Sequence, residues 1–219
     1  MSLQAELDQL RDDFKRRQPP EVLDTMRRAT QALAASGQAG RTPKVGEAAP
    51  FFTLPDENGR PVSLRVLLEK GTLVLTFYRG TWCPFCMKDL QALQAALPDI
   101  EALGGALTAV SPQTAANGRK ALRQNTISFP VLTDKGNDVA AAFGLRFRLP
   151  DEVAAIYKSF GNDLALVNGE PSWTLPMPAR FVVGRDGIIL HAEVNADHTV
   201  RSEPASLLPV LHAAMARAG

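Results

Sequence analysis

The sequence carries no surplus of either charge. Its 24 lysines and arginines face 23 aspartates and glutamates, a formal charge of +1. The basic excess of a dedicated nucleic-acid binder is therefore missing. No apolar run approaches the ~20 residues that a helix needs to span a membrane. The opening segment, MSLQAELDQLRDDFKRRQPP, has early acidic residues and no apolar signal core. No secretory signal is expected, and a cytoplasmic location is the default. Internal repeats and low-complexity tracts are absent as well. Cysteine is scarce: the chain has two, too few for a framework of several disulfides, and a reducing compartment disfavours a structural bridge. What is present is ample core material, 45% hydrophobic and 21% charged over 219 residues. That suits one α/β domain with appendages, or at most two small domains, and argues against global disorder.

Leu3, Leu7, Leu10 and Phe14 recur at helical spacing until Pro19-Pro20, which predicts a first helix ended by proline. Val22, Met26 and Leu33 predict a second, and SGQAGRTPKVGE reads as a linker. Residues 1–40 thus form a helical arm, which either packs on its own domain or pairs two chains as a homodimer. From residue 44 to 219 the pattern is that of one α/β domain. FFTLPDENGRPVSL predicts a short hairpin turning at Asp56–Gly59, and Leu73–Tyr78 a strand buried on both faces. A helix starts near Pro84 with Met87, Leu90, Leu93 and Leu97 on one face, and Pro98 is expected to limit it. Ala106–Val110 predicts a strand, Gln113–Gln124 a helix, Pro130–Thr133 an edge strand and Asn137–Phe143 a helix. Arg180–Val183 and Ile188–Val194 close the sheet around a Gly184-Arg185-Asp186-Gly187 turn, and a last helix follows Pro204. Residues 151–172 look inserted, with a helix over Asp151–Phe160. The segment is either a surface excursion or a lid or partner contact.

The two cysteines stand three apart, as Cys83 and Cys86; random scattering would bring them so close in on the order of one chain in a hundred. Tyr78 to Lys88 leaves a buried strand and enters a helix, with Pro84 suited to the first helical position. Cys83 then caps the helix and Cys86 lies in its first turn, on the same face, so the sulfurs can close a disulfide. The helix N-terminus favours a thiolate, the form that attacks a disulfide or a peroxide, and Arg79 adds positive charge. A zinc site would need about four ligands, and only His191, His198 and His212 remain, without a paired spacing. A purely structural pair of buried thiols is the other alternative, and a helix start is a poor place to hide one. Arg79 can instead be a solvated strand-end residue, Trp82 a packing residue rather than a shield for the sulfurs, and Thr81 a turn residue rather than a hydrogen-bond partner.

KVGEAAPFFTLPDENGRPVSL, LVLTFYRGTWCPFCMKDL and MPARFVVGRDGII resemble the alkyl hydroperoxide reductase and thiol-specific antioxidant (AhpC/TSA) family, peroxiredoxin-like proteins of thioredoxin fold. The resemblance covers about residues 44–215 and leaves out the arm. It implies an α/β thioredoxin-like fold, a central mixed β-sheet flanked by helices. It also implies a cysteine that reduces hydroperoxides through a sulfenic acid. The match is a hybrid. Against the peroxiredoxin P-x-x-x-T-x-x-C loop, aligned on Phe77-Tyr78, Cys86 takes the peroxidatic place, Cys83 the Thr place and Arg79 the Pro place. Against the thioredoxin W-C-x-x-C, Trp82–Cys86 fits, Cys83 is the exposed nucleophile and Cys86 resolves. Pro178 then matches the thioredoxin cis-proline, unless it is an ordinary strand-edge proline. Arg180 is the candidate for the peroxiredoxins' second arginine, unless it is a solvated strand-end residue.

The resemblance therefore implies a hydroperoxide substrate and a catalytic group of Cys83, Cys86, Arg79, Thr81, Trp82, Pro178 and Arg180. The chain has no third cysteine, so within one chain only this pair can resolve the sulfenic acid, and the resemblance implies re-reduction by thioredoxin or a similar dithiol. No metal or organic cofactor is implied. Two other readings stay open: thiol–disulfide exchange on proteins without peroxidase activity, and a non-enzymatic redox sensor or binding module.

Overall fold

The computed structural model describes residues 2–218. Ser2 accepts the Ala5 N–H and caps helix α1 (Leu3–Arg17). Pro19-Pro20 ends it, and Pro20 opens α2 (Pro20–Ala35) at a position where its missing N–H costs nothing. The linker after α2 is tied down: the Gln38 amide donates to the carbonyls of Gly144 and Arg146 at 3.0 and 2.7 Å. The expected hairpin is present as β1 (Thr53–Pro55) and β2 (Pro61–Ser63), antiparallel. Helix α3 (Leu64–Glu69) leads to strand β3 (Thr72–Phe77). Then come α4 (Pro84–Ala102), β4 (Gly105–Ser111), α5 (Ala115–Asn125), β5 (Val131–Thr133) and α6 (Asp138–Ala142).

Strand β6 (Arg146–Arg148) pairs with β7 (Thr174–Pro176) in a small antiparallel ribbon. The ribbon frames the inserted helices α7 (Asp151–Ser159) and α8 (Leu164–Asn168). The chain closes with β8 (Ala179–Val183), β9 (Ile189–Val194) and α9 (Leu208–Ala218). The central sheet has the order β5-β4-β3-β8-β9, with β3, β4 and β5 mutually parallel and β8 and β9 antiparallel to their neighbours. This is the mixed sheet flanked by helices that the resemblance implies.

Strand β3 explains the two-layered core. Leu73, Leu75 and Phe77 enter one layer with Phe143 and Phe181. Val74 and Tyr78 face the opposite layer with Leu90, Leu93 and Ile100 of α4. Alternation by two places every side chain of β3 in one core or the other, so the strand reads as a continuous apolar run. One expectation fails here: Pro98 lies inside α4, which continues to Ala102. An internal proline costs about 3 kcal/mol. Leu97 and Ile100 are both buried against the sheet, and burial of two such side chains offsets that cost at about 1.5–3 kcal/mol each.

The arm packs on its own domain. Leu3 and Leu7 are buried in the layer that holds Leu90 and Leu93, and Glu6 pairs with Lys88 of α4 at 3.0 Å. Gln4 exchanges backbone and side-chain hydrogen bonds with Glu203 and Arg201, and the Phe14 ring meets Phe160 edge-on at 6.0 Å. Leu7→Ala is therefore expected to cost about 2–3 kcal/mol, the lower part of the range for Leu→Ala because a terminal helix can settle into the void. Urea denaturation measures it, and a loss under about 0.5 kcal/mol, the scale of a surface change, would mean that the arm adds no core.

Candidate active site

The dithiol sits where β3 gives way to α4. Tyr78 N–H still bonds the Val110 carbonyl of the neighbouring strand. The chain then turns through Gly80, whose φ of +148° and close approach to Trp82 leave no room for a side chain, since a Cβ would lie 2.5 Å from the indole nitrogen. Cys83 occupies the N-cap with an extended backbone, Pro84 the first helical position and Cys86 the first turn, as the spacing predicts. Gln113 braces the turn from the loop after β4, accepting the Thr81 N–H at 2.9 Å and donating to the Tyr78 hydroxyl at 2.7 Å. Thr81 thus enters the site through its backbone.

Both thiols are free and buried, Cys83 at 1% exposure and Cys86 at 0%. The exposed nucleophile of the thioredoxin pattern is not found, because the inserted segment closes over the helix start. Tyr157 of α7 packs against Trp82 with ring centroids 5.2 Å apart and planes tilted by 59°. The Arg79 guanidinium lies 4.8 Å from the Trp82 ring centre and 5.4 Å from that of Tyr157, and it donates to the Tyr157 hydroxyl. Arg79 is 2% exposed, so it is no solvated strand end. Trp82 both packs and shields.

Arg180 is buried too, but it takes up a different partner. It donates to Asp89 of α4 at 2.6 Å and to the Ser202 carbonyl at 3.2 Å. The residue that reaches a sulfur is Arg201, which holds the other Asp89 oxygen at 3.2 Å and lies 3.8 Å from Cys86 Sγ. Two further carbonyls, of His198 and Val200, fix its guanidinium. Pro178 stands beside Arg79 and His198 on the wall of an adjoining cavity, but no cis peptide occurs among the described residues. The chain runs on from β7 to β8, with the Met177 N–H bonded to the Leu145 carbonyl at 2.9 Å. There is no reversal for a cis bond to make, and the trans form is the lower in energy.

These neighbours divide the two sulfurs. Burial pushes the Cys83 thiol up. The Cys86 thiol bonded to it, the Arg79 charge, the Cys86 backbone N–H and the Arg201 charge together outweigh burial, so Cys83 ionises below the ordinary thiol range. Cys86 moves the other way: burial, its bond to Cys83 and the charge on Cys83 hold its proton in place against Arg201 and Arg79. His198, whose ring meets Phe85 edge-on at 5.6 Å, is kept neutral by burial and by the Arg79 and Arg201 charges. The arrangement is a thiolate at Cys83 with a protonated partner in bonding reach, equipped for a two-electron thiol–disulfide cycle. Among the described residues no group of three or more His, Cys, Asp or Glu is placed to hold a metal ion, and no helix is long and apolar enough to cross a membrane.

Sequence reasoning missed Asp89, Gln113, Tyr157, His198 and Arg201. Asp89 left a trace, as an acid among the apolar positions of α4, three residues after Cys86. The others carry no local signal, because strand order and the insertion bring them in.

The AhpC/TSA family model matches residues 45–192, which include the dithiol. The thiol-disulfide oxidoreductase ResA of Bacillus thuringiensis subsp. konkukian is 23% identical over 157 residues, 71% of this chain and 72% of that protein. Chloroplastic peroxiredoxin Q of Arabidopsis thaliana is 32% identical over 100 residues, 46% of each. The crystal structure of peroxidoxin BcpB from Mycobacterium tuberculosis superposes with a TM-score of 0.62 at 23% identity, over 78% of this chain and 97% of that one. That likeness speaks for the fold. Peroxiredoxins and thiol–disulfide oxidoreductases thus both stand among the relatives, two branches of redox enzyme. With a family match that spans most of the chain and encloses a dithiol at a helix start, the protein belongs to the AhpC/TSA family.

Proposed function

We propose that the protein reduces hydroperoxides, with Cys83 as the attacking sulfur and Cys86 as the resolving one. One observation carries the reading: Cys83, its pKa depressed, is 1% exposed beside a buried arginine, an environment that a small peroxide enters more readily than a folded disulfide substrate. The thiolate attacks the distal peroxide oxygen, the O–O bond breaks, and Cys83 becomes a sulfenic acid while the alkoxide or hydroxide leaves and takes up a proton from water. Arg79 offsets the charge that builds on the oxygens. Cys86 then attacks the sulfenic sulfur. Its proton leaves with the hydroxyl as water, and the Cys83–Cys86 disulfide forms.

Arg201 serves this second step. The repelling Cys83 charge is gone by then, and the guanidinium 3.8 Å from Cys86 Sγ stabilises the thiolate that must form there. A thioredoxin-like dithiol returns both cysteines to the thiol state in a reducing, cytoplasmic setting. Any homodimer built on the arm would use the outer face of α2, since α1 spends Leu3 and Leu7 on its own domain.

Stopped-flow Trp fluorescence, with Trp82 beside the dithiol, tests the reading. Mixing reduced protein with hydrogen peroxide or an alkyl hydroperoxide is expected to give a fast phase well above that of free cysteine. Because the Cys83 pKa is depressed, the thiolate persists below the ordinary thiol range. The rate should stay flat through neutral pH and fall only as pH drops through the lowered value; free cysteine still gains rate above pH 8. A rate no better than free cysteine would leave thiol–disulfide exchange, which the W-C-x-x-C pattern and the ResA relative favour, as the function.

A further inference from the structure

The space next to Arg79 is larger than a hydroperoxide group needs. A cavity of about 340 Å3 opens between α2 and α7, with Met26, Leu33, Phe147 and Val153 among its apolar walls and Arg79 and His198 also lining it. Small-molecule sites span roughly 300–1,000 Å3, so this one suits a compact ligand. The wall contributed by α2 lies outside the segment matched by the AhpC/TSA model, and Val153 comes from α7.

Charge says what the ligand carries. Arg180 and Arg201 share Asp89. Arg79 has no carboxylate partner among the described residues; it donates to Tyr157, and its Nε is buried without a bond. His198 is neutral. The counter-charge of Arg79 in the reduced protein is the Cys83 thiolate. Oxidation to the disulfide removes that negative charge and leaves a buried guanidinium unpaired at an apolar cavity, which is unfavourable until another anion arrives.

We propose that this cavity binds an amphipathic carboxylate, its hydrocarbon body between α2 and α7 and its head on Arg79, and that it binds the disulfide form in preference to the reduced one. The redox preference rests on the dithiol cycle proposed above; binding itself does not depend on which oxidant closes the disulfide. Linkage makes the effect reciprocal. A carboxylate held ten times more tightly by the disulfide form lowers the midpoint potential of the couple by ~30 mV.

Isothermal titration with octanoate on the full chain at pH 8 tests this, with diamide-oxidised protein, reduced protein and the double variant Cys83→Ser/Cys86→Ser, which carries no sulfur charge in any state. Octanoate is expected to bind the oxidised chain and the double variant at least tenfold more tightly than the reduced chain. Octanol, without the charge, and acetate, without the body, should each be at least tenfold weaker than octanoate. Ala29→Phe, on the α2 wall of the cavity, should weaken octanoate tenfold at unchanged thermal stability. Equal binding to reduced and oxidised chains, octanol binding as well as octanoate, or no binding to the double variant would each overturn the proposal. Thiol titration after diamide is scored separately. A chain that forms no disulfide refutes the dithiol cycle, while the double variant against the reduced chain still decides the cavity.

Discussion

Cys83→Ser is expected to lose the fast phase with peroxide entirely, while Cys86→Ser completes one turnover and stops with an oxidised Cys83. The asymmetry follows from the division of charge between the sulfurs. Cys83 carries the thiolate because the Cys86 thiol and the charges of Arg79 and Arg201 outweigh its burial. A serine hydroxyl there is not ionised and is no nucleophile at neutral pH. Serine at position 86 keeps a donor for the Cys83 thiolate, so the first step should change by no more than about threefold, within the 0.5–1.5 kcal/mol that one hydrogen bond contributes. It has no sulfur to capture the sulfenic acid, which should then be trapped by dimedone and detected as a mass adduct on Cys83. The opposite pattern, with Cys86→Ser silent and Cys83→Ser fast, would mean that the peroxiredoxin-like alignment, which puts Cys86 in the peroxidatic place, holds over the electrostatics of the site.

Asp89→Ala is expected to cost about 3–5 kcal/mol, the usual penalty for removing one partner of a buried ion pair. Asp89 has one oxygen on Arg180 and the other on Arg201, and all three side chains are buried. Truncation strands two guanidiniums in the core with one carboxylate's worth of charge missing. Against a total stability of about 5–15 kcal/mol, such a loss should lower the melting temperature of the reduced chain by about 10 °C. Asp89→Asn keeps the shape and an acceptor, so a smaller fall is expected. The same variants should slow disulfide formation after the peroxide step, because Arg201 loses the clamp that holds it 3.8 Å from Cys86. A change in melting temperature below about 3 °C, the equivalent of 1 kcal/mol in a chain of this size, would show that the triad carries little of the fold.

The parts of this molecule that could be read in advance are the ones encoded locally. The dithiol declares itself by a spacing of three, α4 by its apolar face and Pro84, and β3 by an unbroken apolar run; each depends on residues within a few positions of one another. The strands β6 and β7 are three residues long, too short for a period to show. Helix α8, five residues long, gives no second turn of pattern. Pro98 lies inside α4 because the packing of Leu97 and Ile100 overrides helix propensity. Most of the electrostatic apparatus was out of reach for a topological reason. Arg201 meets Asp89 across 112 positions, and Tyr157 meets Arg79 across 78, and no periodicity links partners so far apart. Arg180 illustrates the limit: the family pattern suggests it for the dithiol, but its charge is committed to Asp89.

The roof that Tyr157 and Trp82 form over the helix start has a kinetic corollary. Peroxide is small enough to diffuse to Cys83, but a protein reductant must bring its own sulfur into line with the disulfide. With Cys83 at 1% exposure, that approach waits for the Trp82–Tyr157 contact to part. In the proposed cycle the oxidative half is expected to behave as a bimolecular collision, and the reductive half to meet a first-order ceiling set by how often the roof opens. Raising the reductant concentration would speed turnover only up to that ceiling. If the proposed cycle holds, turnover is expected to plateau with reductant while the oxidation rate still rises linearly with peroxide.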